Sequence, residues 1–354
     1  MTEGRLPRRL RIAQIAPVAS AVTPTSTGSI EQLVSLLTEE LGRRGHEVTL
    51  YATGDSETSV RLKAAYPRGY GDDPDLWNWQ FHETMHVASA FEQAHEFDVM
   101  HSHTYHYALP FTRLTETPVL HSYHVIPDDD VARLYARYRE ASVVAISHYQ
   151  EQFFENSSSV AVIHHGIDMD GFPFRAERDD YLLFLGRILR GKGVVEAVRL
   201  ARQTGMRLLI AGPRNEHDDY FRSEVAPLVD GREVVYQGPV SVSERNWLLA
   251  GAAALLYPIV APEPFGLVMI EAMACGTPVA AIGRGAVSEI VENGVTGYCA
   301  ADLDALAALM PAVLALDRTR IRDAAARRFD YRRMVDRYVT VYERLSETRK
   351  RRWA

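Results

Sequence analysis

Short apolar runs alternate with longer amphipathic stretches along almost the whole chain. In the first half the runs are Leu10–Ile15, His46–Ala52, Phe97–His101, Pro118–Tyr123, Ser142–Ile146 and Val160–Ile163. Runs this short and apolar suit strands buried on both faces. Between the first two, Ser29–Arg44 places Ile30, Leu33, Val34, Leu37 and Leu41 on one stripe and ends at Gly45, which predicts a helix. The second half repeats the scheme with Tyr181–Leu185, Arg207–Ala211, Glu233–Tyr236, Ala253–Pro258, Pro278–Ile282 and Gly297–Ala300. Strands alternating with helices predict parallel sheets covered by helices. There are too many strands for one open sheet, so we expect two doubly wound α/β domains. The boundary is expected within 168–180, where Gly, Pro and charged residues cluster. Tyr331–Leu345 predicts a last helix rich in Arg and Tyr. The expected division is 1–172, 173–330 and a closing helix with tail at 331–354. Residues 66–83 show no period and carry Trp77, Trp79 and Phe81 among Gly, Pro and Asp, as a lid or a surface loop would.

Bulk properties narrow the function classes. The 354 residues, 47% hydrophobic and 24% charged, fit a soluble protein of about two domains. A net charge of -7 argues against nucleic-acid binding, which rests on a cationic surface. No apolar run approaches the ~20 residues a bilayer span needs. The basic, aromatic stretch Ala132–Glu140 and the tail RKRRWA, with Trp353, suit solvated faces, so membrane contact is peripheral at most. Cys275 and Cys299 stand apart with no CxxC, which predicts neither a disulfide nor a thiolate metal site and fits a cytoplasmic protein.

The candidate chemistry concentrates in residues 262–294, PEPFGLVMIEAMACGTPVAAIGRGAVSEIVENG. Glu263 lies between two prolines after an apolar strand, and Glu271 lies on the helix that follows. Phe265, Gly266, Leu267 and Val268 open that helix, whose free N–H groups and positive dipole end suit a phosphate. Carboxylates on either side of a phosphate suit the hydroxyls of a sugar and a ribose, so a nucleotide sugar is the expected ligand. In YLLFLGRILRGKG a strand runs into Gly186-Arg187, and Lys192-Gly193 opens the next helix. Arg187 and Lys192 there suit a diphosphate, Arg as a fork and Lys as a point charge, and suit the charge on a departing phosphate. His121 and His124 end one strand, with His101, His103 and His106 nearby. They lack an HExxH helix or cysteine companions, so no metal is expected. A neutral histidine at a strand end suits a sugar hydroxyl instead. Residues 24–30, PTSTGSI, form a turn suited to a backbone phosphate contact. There is no GxGxxG, P-loop or GxSxG motif.

With these elements in order, the chain resembles the retaining glycosyltransferases of family 4, built on the GT-B architecture of two facing Rossmann-like domains. The resemblance runs from about Leu10 to Leu345. It rests on Thr27-Gly28-Ser29, the GR…KG loop, Gly238-Pro239-Val240, the Glu263…Glu271 pair and GAVSEIVENGVTG. It implies that the last helix crosses back onto the N-terminal domain. It also implies residue roles. Glu271 holds the donor ribose, and Glu263 contacts the donor sugar beside its anomeric carbon. Arg187 and Lys192 bind the diphosphate, and Phe265, Gly266, Leu267 and Val268 complete the phosphate and sugar contacts. His124 faces the donor sugar, Gly28 lies near the phosphates, and Val240 lies where the base is held.

Two positions depart from the family pattern: Gly28-Ser29 replaces two glycines, and His165-Gly166 replaces Asn-Gly. The implied reaction is metal-independent transfer with retention from a nucleotide-diphosphate sugar, UDP- or GDP-linked, to a hydroxyl, without a cofactor. Glu263 as a covalent nucleophile is the competing account. The acceptor is expected to be a small molecule, a natural product, or a glycolipid or polysaccharide precursor. A GT-B phosphorylase, a nucleotide-sugar epimerase and a non-catalytic nucleotide-sugar binder are the alternatives.

Overall fold

The computed structural model describes residues 8–26, 28–73, 76–154, 158–215 and 219–352. Thr27 of the expected phosphate turn and Trp353 of the tail lie outside the described residues. The chain forms two compact units, residues 1–166 with 331–354, and residues 167–330. The division therefore falls ahead of the expected 172/173. Residues 168–180 belong to the second unit, where Asp179 N–H bonds Gly251 O at 2.8 Å and the Arg318 guanidinium donates to Arg175 O at 2.7 Å.

The first unit holds strands β1 (Arg11–Ile15), β2 (Glu47–Tyr51), β3 (Arg61–Lys63), β4 (Val99–Ser102), β5 (Val119–Ser122), β6 (Ser142–Ala145) and β7 (Ser158–Val162). They make one parallel sheet in the order β3-β2-β1-β4-β5-β6-β7. The strand order reverses at β1 and β4, as in Rossmann folds, and ligands bind beyond the strand ends at that reversal. Strand β3 was not expected from the pattern: Arg-Leu-Lys is three residues long and polar, as an edge strand tolerates. Helices α1 (Ser29–Arg43), α2 (Trp79–Phe91), α3 (Asp129–Arg137) and α4 (His148–Glu151) connect the strands. Thus the supposed loop at 66–83 is already helical from Trp79, while Trp77 is 86% exposed.

Helix α11 (Tyr331–Arg352) belongs to this unit. Its stripe of Met334, Val335, Tyr338, Val341, Tyr342 and Leu345 shares a core with Leu33, Leu37 and Leu41 of α1 and with Leu10, Ile12, Val48, Val99, Leu120 and Val144 of the sheet. The i, i+4, i+7 spacing of that stripe puts these side chains on one helix face.

The second unit repeats the plan. Strands β8 (Tyr181–Leu185), β9 (Arg207–Ala211), β10 (Val234–Gly238), β11 (Ala254–Tyr257), β12 (Val279–Ile282) and β13 (Gly297–Ala300) form a parallel sheet in the order β10-β9-β8-β11-β12-β13. Its helices are α5 (Val194–Thr204), α6 (Val242–Gly251), α7 (Leu267–Ala274), α8 (Val287–Ile290), α9 (Leu303–Leu314) and α10 (Arg318–Phe329). Apolar side chains such as Leu182, Phe184, Val198, Ile210, Leu256 and Leu306 fill its core. The expected two doubly wound α/β domains are therefore present.

The reversal in this sheet lies between β8 and β11, which pair directly. The loop after β8 docks on the loop after β11: Gly191 O accepts from Val260 N at 2.9 Å and from Ala261 N at 3.1 Å. Gly193 opens α5 at φ +77, and a Cβ there would lie 1.9 Å from Pro258 O. Gly205, just past the same helix, has φ +66 but no atom within 4 Å of an added Cβ. Gly205→Ala should cost about 1 kcal/mol for left-handed backbone alone. Gly193→Ala adds a backbone collision and should cost at least ~2 kcal/mol in urea unfolding. Equal losses in the two variants would mean that the two loops part without penalty.

Candidate functional site

Two charged candidates of the second unit, Lys192 and Glu263, meet where its two docked loops leave the sheet. Lys192 ends the short turn Arg190–Lys192 after β8. Glu263 follows β11 and is bridged to Gly285 after β12, with Ala286 N–H on Glu263 O at 2.8 Å. Gly285 has φ +66, and a Cβ there would lie 2.3 Å from Glu263 O, so a side chain at 285 would push Glu263 aside. Lys192 Nζ donates to Glu263 Oε2. Tyr257 at the end of β11 donates its hydroxyl to the same oxygen at 2.6 Å. Glu263 is 9% exposed, so these donors compensate a carboxylate largely removed from water. Burial, and next the Glu263 charge, hold the Tyr257 phenol well above its ordinary value, so it stays a donor.

Helix α7 starts beside this group. Gly266 is its N-cap at φ +87, and a Cβ there would crowd Met269 Cε at 2.6 Å and Tyr257 Oη at 3.2 Å. Leu267 and Val268 form the first turn and are half-buried, so their N–H groups lie where a helix leaves donors unsatisfied. Phe265 is buried edge-on against Phe329, centroids 6.2 Å apart, and anchors the helix start. Glu271, one turn in, is buried, with Arg245 Nη1 at 3.4 Å from its Oε1. Burial raises its carboxyl above the usual range and the Arg245 charge opposes that rise. Arg187 lies exposed just past β8, with no ion pair among the described residues. Val240 is half-buried between β10 and the Ser241 capping box of α6.

The first unit gathers the remaining candidates near its own strand reversal. Gly28 is the N-cap of α1, and a Cβ there would lie 1.9 Å from Glu31 Oε2. Glu31 was not singled out from the sequence, because an acid in the first turn of a helix reads as a dipole partner. It is buried, which raises its carboxyl, against a Ser20 hydrogen bond that lowers it. His124 follows β5, is 8% exposed, and burial pushes its imidazole down to about 4. Its Nε2 lies 3.0 Å from His103 Nδ1, and its ring stacks on His165 at 5.3 Å. Burial also lowers His165 well below its ordinary value. His101, His103 and His121 are buried, bonded to hydroxyl, amide or imidazole partners. Among the described residues no group of three or more His, Cys, Asp or Glu side chains has metal-holding geometry. No described helix is long and apolar enough to cross a membrane.

Sequence reasoning missed Tyr257 and Arg245. Tyr257 ends an apolar run and looks like one more core residue, and Arg245 lies on a helix with no motif of its own.

Comparison with known proteins now gives the class. Residues 30–170 match the family model of Glycosyltransferase Family 4, and residues 179–316 match that of Glycosyl transferases group 1. The chain belongs to this GT-B family of glycosyltransferases. It is 35% identical over 175 residues to the glycogen synthase of Mycobacterium tuberculosis, which is 46% of this chain and 42% of that protein. The match thus spans less than half of that relative. Across 96% of this chain and 98% of its own, the structure of AviGT4, a glycosyltransferase involved in avilamycin A biosynthesis, superposes with a TM-score of 0.73 at 24% identity. HepE from Anabaena in complex with UDP superposes over 94% of this chain and 99% of its own, with a TM-score of 0.71 at 18% identity.

Glu271 yields a pH test. Its folded-state value is raised, so between the ordinary 4.5 and that value the folded state binds more protons than the unfolded one. Stability from this group is full below about 4.5 and declines as pH rises through the raised value. Glu271→Gln should therefore raise the melting temperature of the ligand-free protein more at pH 7 than at pH 4.5. A gain that is equal at both pH values, or larger in acid, would mean that the Glu271 carboxyl is not raised.

Proposed function

We propose that this chain transfers a sugar from a nucleoside diphosphate sugar to an acceptor hydroxyl, with retention and without a resident metal. The observation that carries this is Glu263, fixed by Lys192 and Tyr257 beside the start of α7, with Glu271 one turn further in. That group presents, in order, a carboxylate for sugar hydroxyls, donors for a diphosphate and a carboxylate for a ribose.

The step follows from these parts. The anomeric carbon–oxygen bond to the diphosphate breaks, and a bond to the acceptor oxygen forms on the same face. Lys192, Arg187 and the first turn of α7 take up the charge on the departing diphosphate. The acceptor proton passes to an oxygen of that diphosphate. Glu263 supports this role as a held anion, since one of its oxygens already accepts two donors. His124 offers a neutral imidazole to a hydroxyl of the donor sugar, and Gly28 leaves the turn before α1 open to the phosphates. Phe265, Gly266, Leu267, Val268 and Val240 serve the donor through backbone contacts.

UDP or GDP sugars are the expected donors. A UDP-bound structure with the same fold supports the first. The acceptor is a small molecule, a natural product, or a glycolipid or polysaccharide precursor. A cytoplasmic setting fits two unpaired cysteines, one buried and one half-buried.

Thermal-shift screening against UDP, GDP, ADP and dTDP sugars identifies the donor, because a ligand of the folded state raises the melting point. With that donor, Glu263→Ala and Lys192→Ala should each cut transfer at least ~100-fold, about 3 kcal/mol of transition-state stabilisation, while the fold persists. Glu271→Ala should mainly raise the KM for donor. Full activity in both Glu263→Ala and Lys192→Ala would sink the assignment. Donor turnover with no acceptor, or dependence on inorganic phosphate, would point to an epimerase or a phosphorylase.

A further inference from the structure

Strand β1 carries a glutamine in the middle of a sheet, between the buried apolar Ile12, Ala13 and Ile15. Gln14 has no exposed surface, and a buried amide is costly unless every polar atom is bonded. Its Nε2 donates to Tyr342 Oη on α11 at 2.9 Å, and its Oε1 lies 3.0 Å from His103 Nε2. His103 Nδ1 lies 3.0 Å from His124 Nε2. On the other side Tyr342 Oη lies 2.6 Å from His101 Nδ1, and His101 Nε2 lies 2.8 Å from Ser122 Oγ. These atoms form one continuous chain that starts at Ser122 of β5, passes through Tyr342 of α11 and ends at His124 just beyond β5.

Burial holds all three imidazoles neutral at pH 7. A neutral imidazole has one N–H and one lone pair, so each link constrains the next. Gln14 Oε1 can only accept, and so His103 carries its hydrogen on Nε2. His103 Nδ1 is then a lone pair and takes the N–H of His124 Nε2. His124 is left with a lone pair on Nδ1, an atom that is buried and has no hydrogen-bond partner among the described residues. Turning the Gln14 amide over would reverse these links together and place a hydrogen on His124 Nδ1. Tyr342 Oη, which both donates and accepts, follows either direction, so the orientation of the Gln14 amide, with Nε2 on Tyr342 and Oε1 on His103, sets the direction of the chain.

We propose that Gln14 is a positioning residue that sets His124 in its Nε2–H tautomer, so that Nδ1 accepts a hydrogen bond from a hydroxyl of the donor sugar. This rests on the sugar-facing role proposed for His124 above. Gln14 does not touch substrate; it acts through His103.

The test is the tautomer itself, read by nitrogen NMR on full-length protein labelled with 15N-histidine, with His124 assigned by the resonance lost in His124→Ala. In the wild type, His124 should show a protonated Nε2 and an unprotonated Nδ1. Gln14→Met keeps the volume and removes both polar ends. It should let His124 populate both tautomers and should lower kcat/KM about tenfold with the sugar nucleotide the thermal screen selects. Adding it to His124→Ala should cause no further loss, which a merely structural role would not produce. Tyr342→Phe is the milder variant and should move the tautomer in the same direction if Gln14→Met does not fold. A wild-type His124 protonated on Nδ1, or an unchanged tautomer in these variants, overturns the proposal. His124→Ala with wild-type transfer removes the sugar-facing role and with it the functional half of the proposal, a failure visible apart from the NMR result.

Discussion

Everything at the second unit's site depends on one carboxylate held nearly out of water by donors from two loops. Glu263 is tolerable at 9% exposure because Lys192 and Tyr257 converge on it. Removing one partner from a buried pair typically costs ~3–5 kcal/mol, whereas an exposed pair contributes ~0–1 kcal/mol. Arg133–Asp130, with both side chains mostly in solvent, is of the second kind. The fold makes the convergence possible by pairing β8 directly with β11, so both loops leave the same edge side by side. Two glycines then let the backbone close in. Gly193 lies against Pro258 O and Gly285 against the Glu263 backbone, both at positive φ. The charge pair is thus built on absent side chains as much as on present ones.

Glu263 and Glu271 are eight residues apart and live in different electrostatic settings. Glu263 is bonded by a lysine and a phenol on one oxygen. Glu271 is buried with Arg245 at 3.4 Å as its one ion-pair partner among the described residues, and its carboxyl is raised. An acid under-compensated in this way destabilises the ligand-free protein, and a protein optimised for stability alone would not keep it. Local costs of this kind collect where binding or chemistry takes place. The asymmetry suits the proposed division of labour, in which one carboxylate is held rigid near the reacting carbon and the other waits for ribose hydroxyls to complete its bonding.

Much of this was legible in the residues. The apolar runs located nearly every strand, because parallel strands buried on both faces leave no alternation to misread. Strand β3 escaped because an edge strand of Arg-Leu-Lys needs neither length nor apolarity. The unit boundary was drawn within a Gly- and Pro-rich stretch, yet buried Arg318 ties Arg175 O into the second unit, a long-range bond that composition does not display. Lys192, Glu263, Gly266 and Glu271 stood out because charge and glycine are conspicuous beside strand ends. Tyr257 did not, since a tyrosine ending an apolar strand is indistinguishable from core until its hydroxyl has a partner. Arg187, prominent in the motif, stands exposed without an ion pair among the described residues.

Between the first unit's sheet and α11, polarity is buried without charge. The sheet's central strands carry Gln14 and His101, with His103 just past β4, and α11 brings Tyr342 and Tyr338 within an otherwise apolar stripe. A periodicity argument counts those tyrosines as hydrophobic, which describes their rings and not their hydroxyls. Ser122 Oγ sits 3.2 Å from Tyr338 Oη and 2.8 Å from His101 Nε2, so the helix meets the sheet through polar contacts at two places. Each group here is an alternating donor and acceptor, and such a chain is satisfied only if its hydrogens run consistently along it. A set of apolar side chains would pack the same volume but would carry no direction. Direction is what a neutral histidine at the end of β5 needs, because the place of its hydrogen decides which of its two nitrogens donates and which accepts.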